Sequence, residues 1–240
     1  MIEPQTLYQL FMELYGPRGW WPVVTDAGNQ GHDAKGYHPL DYSIPATAHR
    51  RFEIALGAIL TQNTAWRNVR LCLESLDEAG AIDMQRLLAL SDERLEALIR
   101  SSGYYRQKAR KLKTLARFFL ENGYGEVSAA STPSREELLS LWGIGEETAD
   151  SILLYAFGVP VLVIDAYTRR ILARLKGEEL SDREIRDYLS SATEGKAVKQ
   201  QRRILNEFHA LFVEHGKTRC AKRSPDCDHC GIKAWCKGPF

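Results

Sequence analysis

Residues 138–150 read Leu138-Leu139-Ser140-Leu141-Trp142-Gly143-Ile144-Gly145-Glu146-Glu147-Thr148-Ala149-Asp150. An apolar helix ends at Trp142, Gly143-Ile144-Gly145 turns tightly, and a second helix starts at once. Two glycines allow positive φ and a close approach of the backbone to a partner. The helix start behind them offers free N–H groups and the positive end of a dipole. Together these features describe a helix-hairpin-helix phosphate clamp, although a plain turn between two helices would use the same residue types.

Outward from this hairpin the pattern stays helical. Leu7, Leu10, Phe11 and Leu14 mark one apolar stripe, and Phe52, Leu56, Ile59 and Leu60 another. Further helices fit 64–78, 84–90, 92–101, 105–122, 134–142, 146–157, 166–175, 182–191 and 198–213. Capping boxes are legible at Ser134-x-x-Glu137 and Ser181-x-x-Glu184. The run Val159 to Ile164 is the one stretch with any strand character, and it follows a helix and contains Pro160. The expected fold is all-α. Residues 23–47, rich in Gly, Asp, His and Pro, read as a long loop in which His32 and His38 are surface residues. Two helical lobes are expected: a six-helix body over 46–158 that contains the hairpin, and a lobe combining 1–45 with 159–240.

The 240 residues suffice for a substantial core, and 44% apolar with 26% charged content is ordinary for a globule. The longest apolar stretch, Ile152 to Ile164, is too short to span a bilayer, so no membrane partner is expected. Met1-Ile2-Glu3-Pro4 lacks a basic head and an apolar run, which points to an intracellular protein of the cytoplasm or nucleoid. The net charge of +1 carries no global signal for nucleic acid. Cations do cluster locally, at Arg106, Lys108, Arg110, Lys111 and Lys113, and again at Lys217, Arg219, Lys222, Arg223, Lys233 and Lys237. Such patches can contact phosphates, or form solvated helix faces.

Cys220, Cys227, Cys230 and Cys236 are spaced C-x6-C-x2-C-x5-C. A disulfide framework, a zinc site and an iron–sulfur cluster are the options for thiols packed this densely. An intracellular chain argues for metal. Zinc favours paired C-x2-C knuckles, and the uneven spacing suits the four corners of a [4Fe–4S] cubane better. Cys72 lies apart in an apolar helical stretch and reads as a small buried hydrophobe. Asp165, twenty residues past the hairpin, ends the apolar run Val161-Leu162-Val163-Ile164. There it either caps the next helix or does chemistry.

In this order, the hairpin, the aspartate and the terminal cysteines resemble the endonuclease III superfamily of base-excision DNA glycosylases, over about residues 50–240. Leu60-Thr61-Gln62-Asn63-Thr64 resembles the segment whose glutamine fills the hole left by a flipped base. Gly103-Tyr104-Tyr105-x-x-Lys108-Ala109 resembles the wedge loop, with Tyr104 at the wedge, and His215-Gly216-Lys217 resembles the stretch before the cluster. The resemblance implies DNA contacts at Gln62, Tyr104, Gly143, Gly145 and Lys217, catalysis at Asp165, and action by a monomer on double-stranded DNA with a damaged base.

One departure bears on the chemistry. Bifunctional members carry a nucleophilic lysine two residues after the second hairpin glycine; here the position is Glu147, which cannot form an imine. The resemblance therefore implies a monofunctional enzyme that removes a base with water. An oxocarbenium-like sugar develops positive charge that a fixed carboxylate stabilises, the role expected of Asp165. Trp20-Trp21-Pro22, followed by Gly57-Ala58-Ile59-Leu60-Thr61-Gln62-Asn63-Thr64 and by Ala149-Asp150-Ser151-Ile152-Leu153-x-Tyr155-Ala156, is similar to the 3-methyladenine DNA glycosylase III branch. In that branch aromatics at the positions of Trp20, Trp21 and Trp66 line the base pocket. Purines alkylated on a ring nitrogen, such as 3-methyladenine and 7-methylguanine, carry formal positive charge, and indole faces favour cations. Core filling is the alternative use of the same tryptophans.

Overall fold

A computed structural model of the chain describes residues 1–19, 21, 23–24, 37–124 and 132–238. Trp20, His32 and the rest of 25–36 within the 23–47 segment lie outside the described residues. Eleven α-helices and no strand occur among the described residues, so the fold is all-α. Val159 to Ile164 forms no strand and has no regular secondary structure. No helix is long and apolar enough to cross a membrane among the described residues. The described residues divide into two compact units, 21, 23–24, 43–124 and 132–159 in one, and 1–19, 37–42 and 160–238 in the other.

Within the first unit, α2 (Ala48–Leu60) is the central helix; Thr47 caps it, and every residue from Arg51 to Leu60 is buried. Around it lie α3 (Trp66–Glu78), α6 (Tyr105–Glu121) and α8 (Glu146–Ser151), while α4 (Met84–Ala89) and α5 (Asp92–Leu98) pack on α6. The short α7 (Arg135–Ser140) precedes the hairpin, and its Ser134–Glu137 capping box forms as the sequence implies. Beyond α8 the chain widens into a π-helical turn, Ile152–Ala156, whose five residues are all buried against α2. Cys72 is fully buried, its Sγ 3.0 Å from Ser101 Oγ.

The second unit is built on α11 (Val198–Thr218), which runs beyond residue 213, where the sequence pattern stops being apolar. It packs against α1 (Pro4–Tyr15) and α9 (Ala166–Lys176), with α10 (Asp182–Ser190) beside α9. Phe11, Phe208 and Phe212 are fully buried, each contributing about 1.5–3 kcal/mol of transfer free energy. The Phe11 and Phe212 rings meet edge to face at 5.4 Å. Glu207, buried on α11, accepts from the Arg18 and Gly19 amides and from the Tyr42 hydroxyl, anchoring the loop after α1. His38, expected at the surface, is buried here. Its amide donates to Gly19 O at 3.4 Å and its carbonyl accepts from Asp41, so tertiary packing overrides the polar loop composition.

Candidate functional site

In the first unit the hairpin turn is built by one glycine more than by two. Gly143 has φ +83°, and a Cβ there would strike the aliphatic chain of Lys111. Gly145 has ordinary extended φ of −97° and caps α8; no atom lies within 4 Å of where its Cβ would stand. Its value is therefore room for an approaching partner rather than backbone freedom, which corrects the reading of both glycines as positive-φ residues.

Gln62 is tied to this turn. Its Nε2 donates to Gly143 O (3.2 Å) and Thr148 Oγ1 (2.9 Å), and its Oε1 accepts from Lys111 Nζ at 2.5 Å. Burial lowers the Lys111 pKa. Tyr104 stands at the start of α6 in the left-handed region, φ 47°, and is 71% exposed. Glu147 lies in the first turn of α8.

The tryptophan readings resolve into a corner. Trp21 is buried and meets Trp66 edge to face at 5.8 Å; Tyr155 from the π-helical turn closes on Trp21 at 5.4 Å. Gly57 makes this possible, because a Cβ on that face of α2 would lie 2.9 Å from Trp21 Nε1. Trp66 is half-buried at the start of α3. Trp20 lies outside the described residues.

In the second unit Asp165 is the N-cap of α9 and is 4% exposed. Its Oδ1 accepts from Thr168 N (2.7 Å) and Thr168 Oγ1 (2.8 Å), which fixes the plane of the carboxyl. His209 Nε2 lies 3.8 Å from Oδ2. Burial pushes the His209 pKa down, with Asp165 opposing that shift, so a neutral imidazole faces Oδ2 at neutral pH.

All four tail cysteines line one partly open pocket with Ile171, Leu175, Arg174 and His215. None is in a disulfide. Among the described residues no three His, Cys, Asp or Glu side chains gather around a point fit for a single metal ion. The donors around the sulfurs are cationic or N–H groups. Arg174 Nη1 donates to Cys220 Sγ at 3.1 Å, and Gly238 N to Cys236 Sγ at 3.4 Å. His215 Nε2 lies 3.8 Å from Cys230 Sγ, while Tyr15 OH is 2.6 Å from His215 Nδ1. Burial pushes His215 down to about 4, with Arg219 adding to the shift. The Cys230 thiol is pushed up by burial and by its three neighbouring cysteines. A thiolate-binding group would relieve that mutual repulsion, and the N–H donors suit anionic sulfur. Lys217 is exposed at the end of α11.

Residues 56–194, which hold the hairpin and Asp165, match the model of the HhH-GPD superfamily of base excision DNA repair proteins. The chain belongs to that superfamily. This HhH-GPD protein is 35% identical over 237 residues to a Methanocaldococcus jannaschii protein provisionally named a DNA repair glycosylase, covering 96% of this chain and 94% of the other. Its fold is similar to H. pylori 3-methyladenine DNA glycosylase bound to 1,N6-ethenoadenine, with TM-score 0.68, 24% identity, and 90% and 98% of the two chains covered. It is similar as well to a trapped endonuclease III–DNA covalent intermediate, with TM-score 0.67, 24% identity, and 99% and 97% covered.

Thr168, Arg174 and His209, which the HhH-GPD fold brings to these places, were not singled out from sequence, while Gly57, Lys111 and Tyr155 entered only as members of a motif or a basic cluster. Gly57 had a signal, a lone glycine inside an apolar helix face. His209 had another, since Leu205, Phe208 and Phe212 share its helical stripe and only the imidazole is polar. Lys111 and Arg174 had none, being one cation among many.

Proposed function

We propose that this protein is a monofunctional DNA glycosylase that hydrolyses the N-glycosidic bond of alkylated purines in double-stranded DNA and leaves an abasic site. The observation that carries the reading is the corner of Trp21, Trp66 and Tyr155. Three electron-rich rings meeting at 5.4–5.8 Å suit a flat, cationic base by stacking and cation–π attraction. Such leaving groups already carry positive charge, so protonation of the base is not demanded of the protein. Glu147 supports hydrolysis over imine chemistry.

In this mechanism Asp165 is the catalytic carboxylate. Thr168 holds Oδ1, leaving Oδ2 to stabilise the developing oxocarbenium charge or to orient the attacking water. A neutral His209 leaves the charge of Asp165 uncompensated, which a protonated imidazole would not. Tyr104, Gln62, Gly143, Gly145 and Lys217 are assigned to the DNA strand, with Gln62 acting as a strut of the hairpin until DNA displaces it. Cys220, Cys227, Cys230 and Cys236 would hold a [4Fe–4S] cluster. Bound there, the cluster would pin the tail and add local charge, since hydrolysis needs no electron transfer. Only the chain's own side chains take part in base release.

The test is base release from methylated duplex DNA, with strands examined before and after alkali. Free 3-methyladenine or 7-methylguanine with nicks only after alkali is expected. Direct nicking without alkali, or borohydride trapping, would favour a glycosylase–lyase. Asp165→Asn should keep DNA binding and lose excision by roughly 10³-fold or more; a near-normal rate would remove Asp165 from the mechanism.

A further inference from the structure

We propose that Arg110, laid flat on the exposed indole of Trp142, is a preformed arm that grips a DNA backbone phosphate beside the hairpin. The inference rests on the DNA-binding reading above and adds a contact that neither the hairpin motif nor the wedge supplies. The Arg110 guanidinium carbon lies 4.2 Å from the centroid of the Trp142 ring. Both side chains are at the surface, Trp142 with 46% of its area exposed.

The neighbouring cations on α6 are engaged elsewhere. Arg106 faces Glu96 at 3.7 Å, Lys108 is buried on two carbonyls, Lys111 holds Gln62, and Lys113 holds Asp92 and Leu90 O. Arg110 makes no ion pair among the described residues.

The chemistry selects the partner. A guanidinium stacked by its face keeps its in-plane N–H donors free, and those donors match two phosphate oxygens at once. Stacking also restricts the rotamers of the side chain in advance, which lowers the entropy lost on binding. Trp142 immediately precedes Gly143, so the stacked pair stands at the hairpin turn itself. The open space over Gly145 lies on the same turn, so a strand approaching the hairpin backbone comes within reach of the Arg110 fork. Lys111, the next residue of α6, braces the turn from within.

Binding of the full-length protein to a labelled duplex, with and without a stable tetrahydrofuran abasic analogue, tests this across a range of salt. Arg110→Ala should weaken binding roughly three- to tenfold and lower the slope of log K against log salt by about one. Arg110→Lys should keep the slope and lose affinity, because the charge stays and the fork goes. Trp142→Ala should weaken binding less, and should add nothing in the Arg110→Ala background. Both residues are exposed, so unchanged thermal midpoints are expected and separate a lost contact from a lost fold. If the wild type binds duplex and Arg110→Ala leaves both affinity and slope unchanged, the inference fails while the functional reading stands. If the wild type binds no duplex at all, both fail.

Discussion

In α6, the three lysines of the run Arg106 to Lys113 are turned inward, while Arg106 and Arg110 stay at the surface. The Lys108 ammonium is 2% exposed and donates to Leu60 O and Ser102 O at 2.8 Å each, and burial brings its pKa down to about 8. Lys111 and Lys113 hold Gln62 and Asp92. At the end of α11 and in the cysteine loop the arrangement is reversed: Lys217, Lys222 and Arg223 stand exposed, and the pairs Arg219–Asp226 and Lys233–Asp228 lie at the surface. The inward role for that region falls to Arg174 on α9, which donates to Cys220 Sγ, Ala221 O and Lys222 O. Two runs of similar composition thus divide the work of cations, the lysines of α6 as internal struts and the cations of the tail as a surface field. Along a helix the 3.6-residue period carries some lysines into the core, where only carbonyls and amides can receive them. A short irregular loop has no such inward face.

This contrast can be broken at several points. Arg174→Met should have the largest effect, on the order of 4 kcal/mol, because it removes three charge-assisted hydrogen bonds that hold the cysteine loop. Urea unfolding would register it, as would loss of visible absorbance from the proposed cluster; a variant as stable as the parent would show that the loop is held otherwise.

Acid should act next. The folded pKa values of His215 (about 4) and His209 lie below the unfolded value near 6.5. The unfolded chain therefore takes up protons first as pH falls. Stability from these two groups is complete above about pH 6.5 and is lost on acidification toward pH 4, with about 3 kcal/mol from His215 alone. Hydrogen exchange should show the amides of α11 opening before those of α6; equal loss in both would contradict that assignment.

Lys108→Met should cost about 2–3 kcal/mol by leaving two buried carbonyls without a donor, yet leave the salt dependence of DNA binding unchanged. The paired replacement Lys222→Ala, Arg223→Ala should do the opposite. Stability should shift by less than about 0.5 kcal/mol, while the salt slope of DNA binding falls by up to about two. A stability loss in the loop variant, or a slope change in the Lys108 variant, would erase the distinction between strut and field.

Local rules carried much of the fold. Helix periodicity and end signals are properties of short windows, so the all-α class, the two capping boxes at Ser134 and Ser181, and the helices around the hairpin were legible from residue order. The spacing of the four cysteines and the match of hairpin and Asp165 to a known family were legible for the same reason, being patterns along the chain. The burial of His38, the π-helical turn that brings Tyr155 against Trp21, and the ordinary φ of Gly145 were not. Each depends on what the rest of the chain places next to it.

Sequence by itself therefore determined the elements, the family and the residue types available for chemistry. Only the tertiary structure decided which cations are buried and which face of α2 makes room for an indole. It also decided how Thr168 and His209 divide the two oxygens of Asp165. Contacts between residues far apart in the chain are set by packing and desolvation, and no local pattern of side chains encodes them.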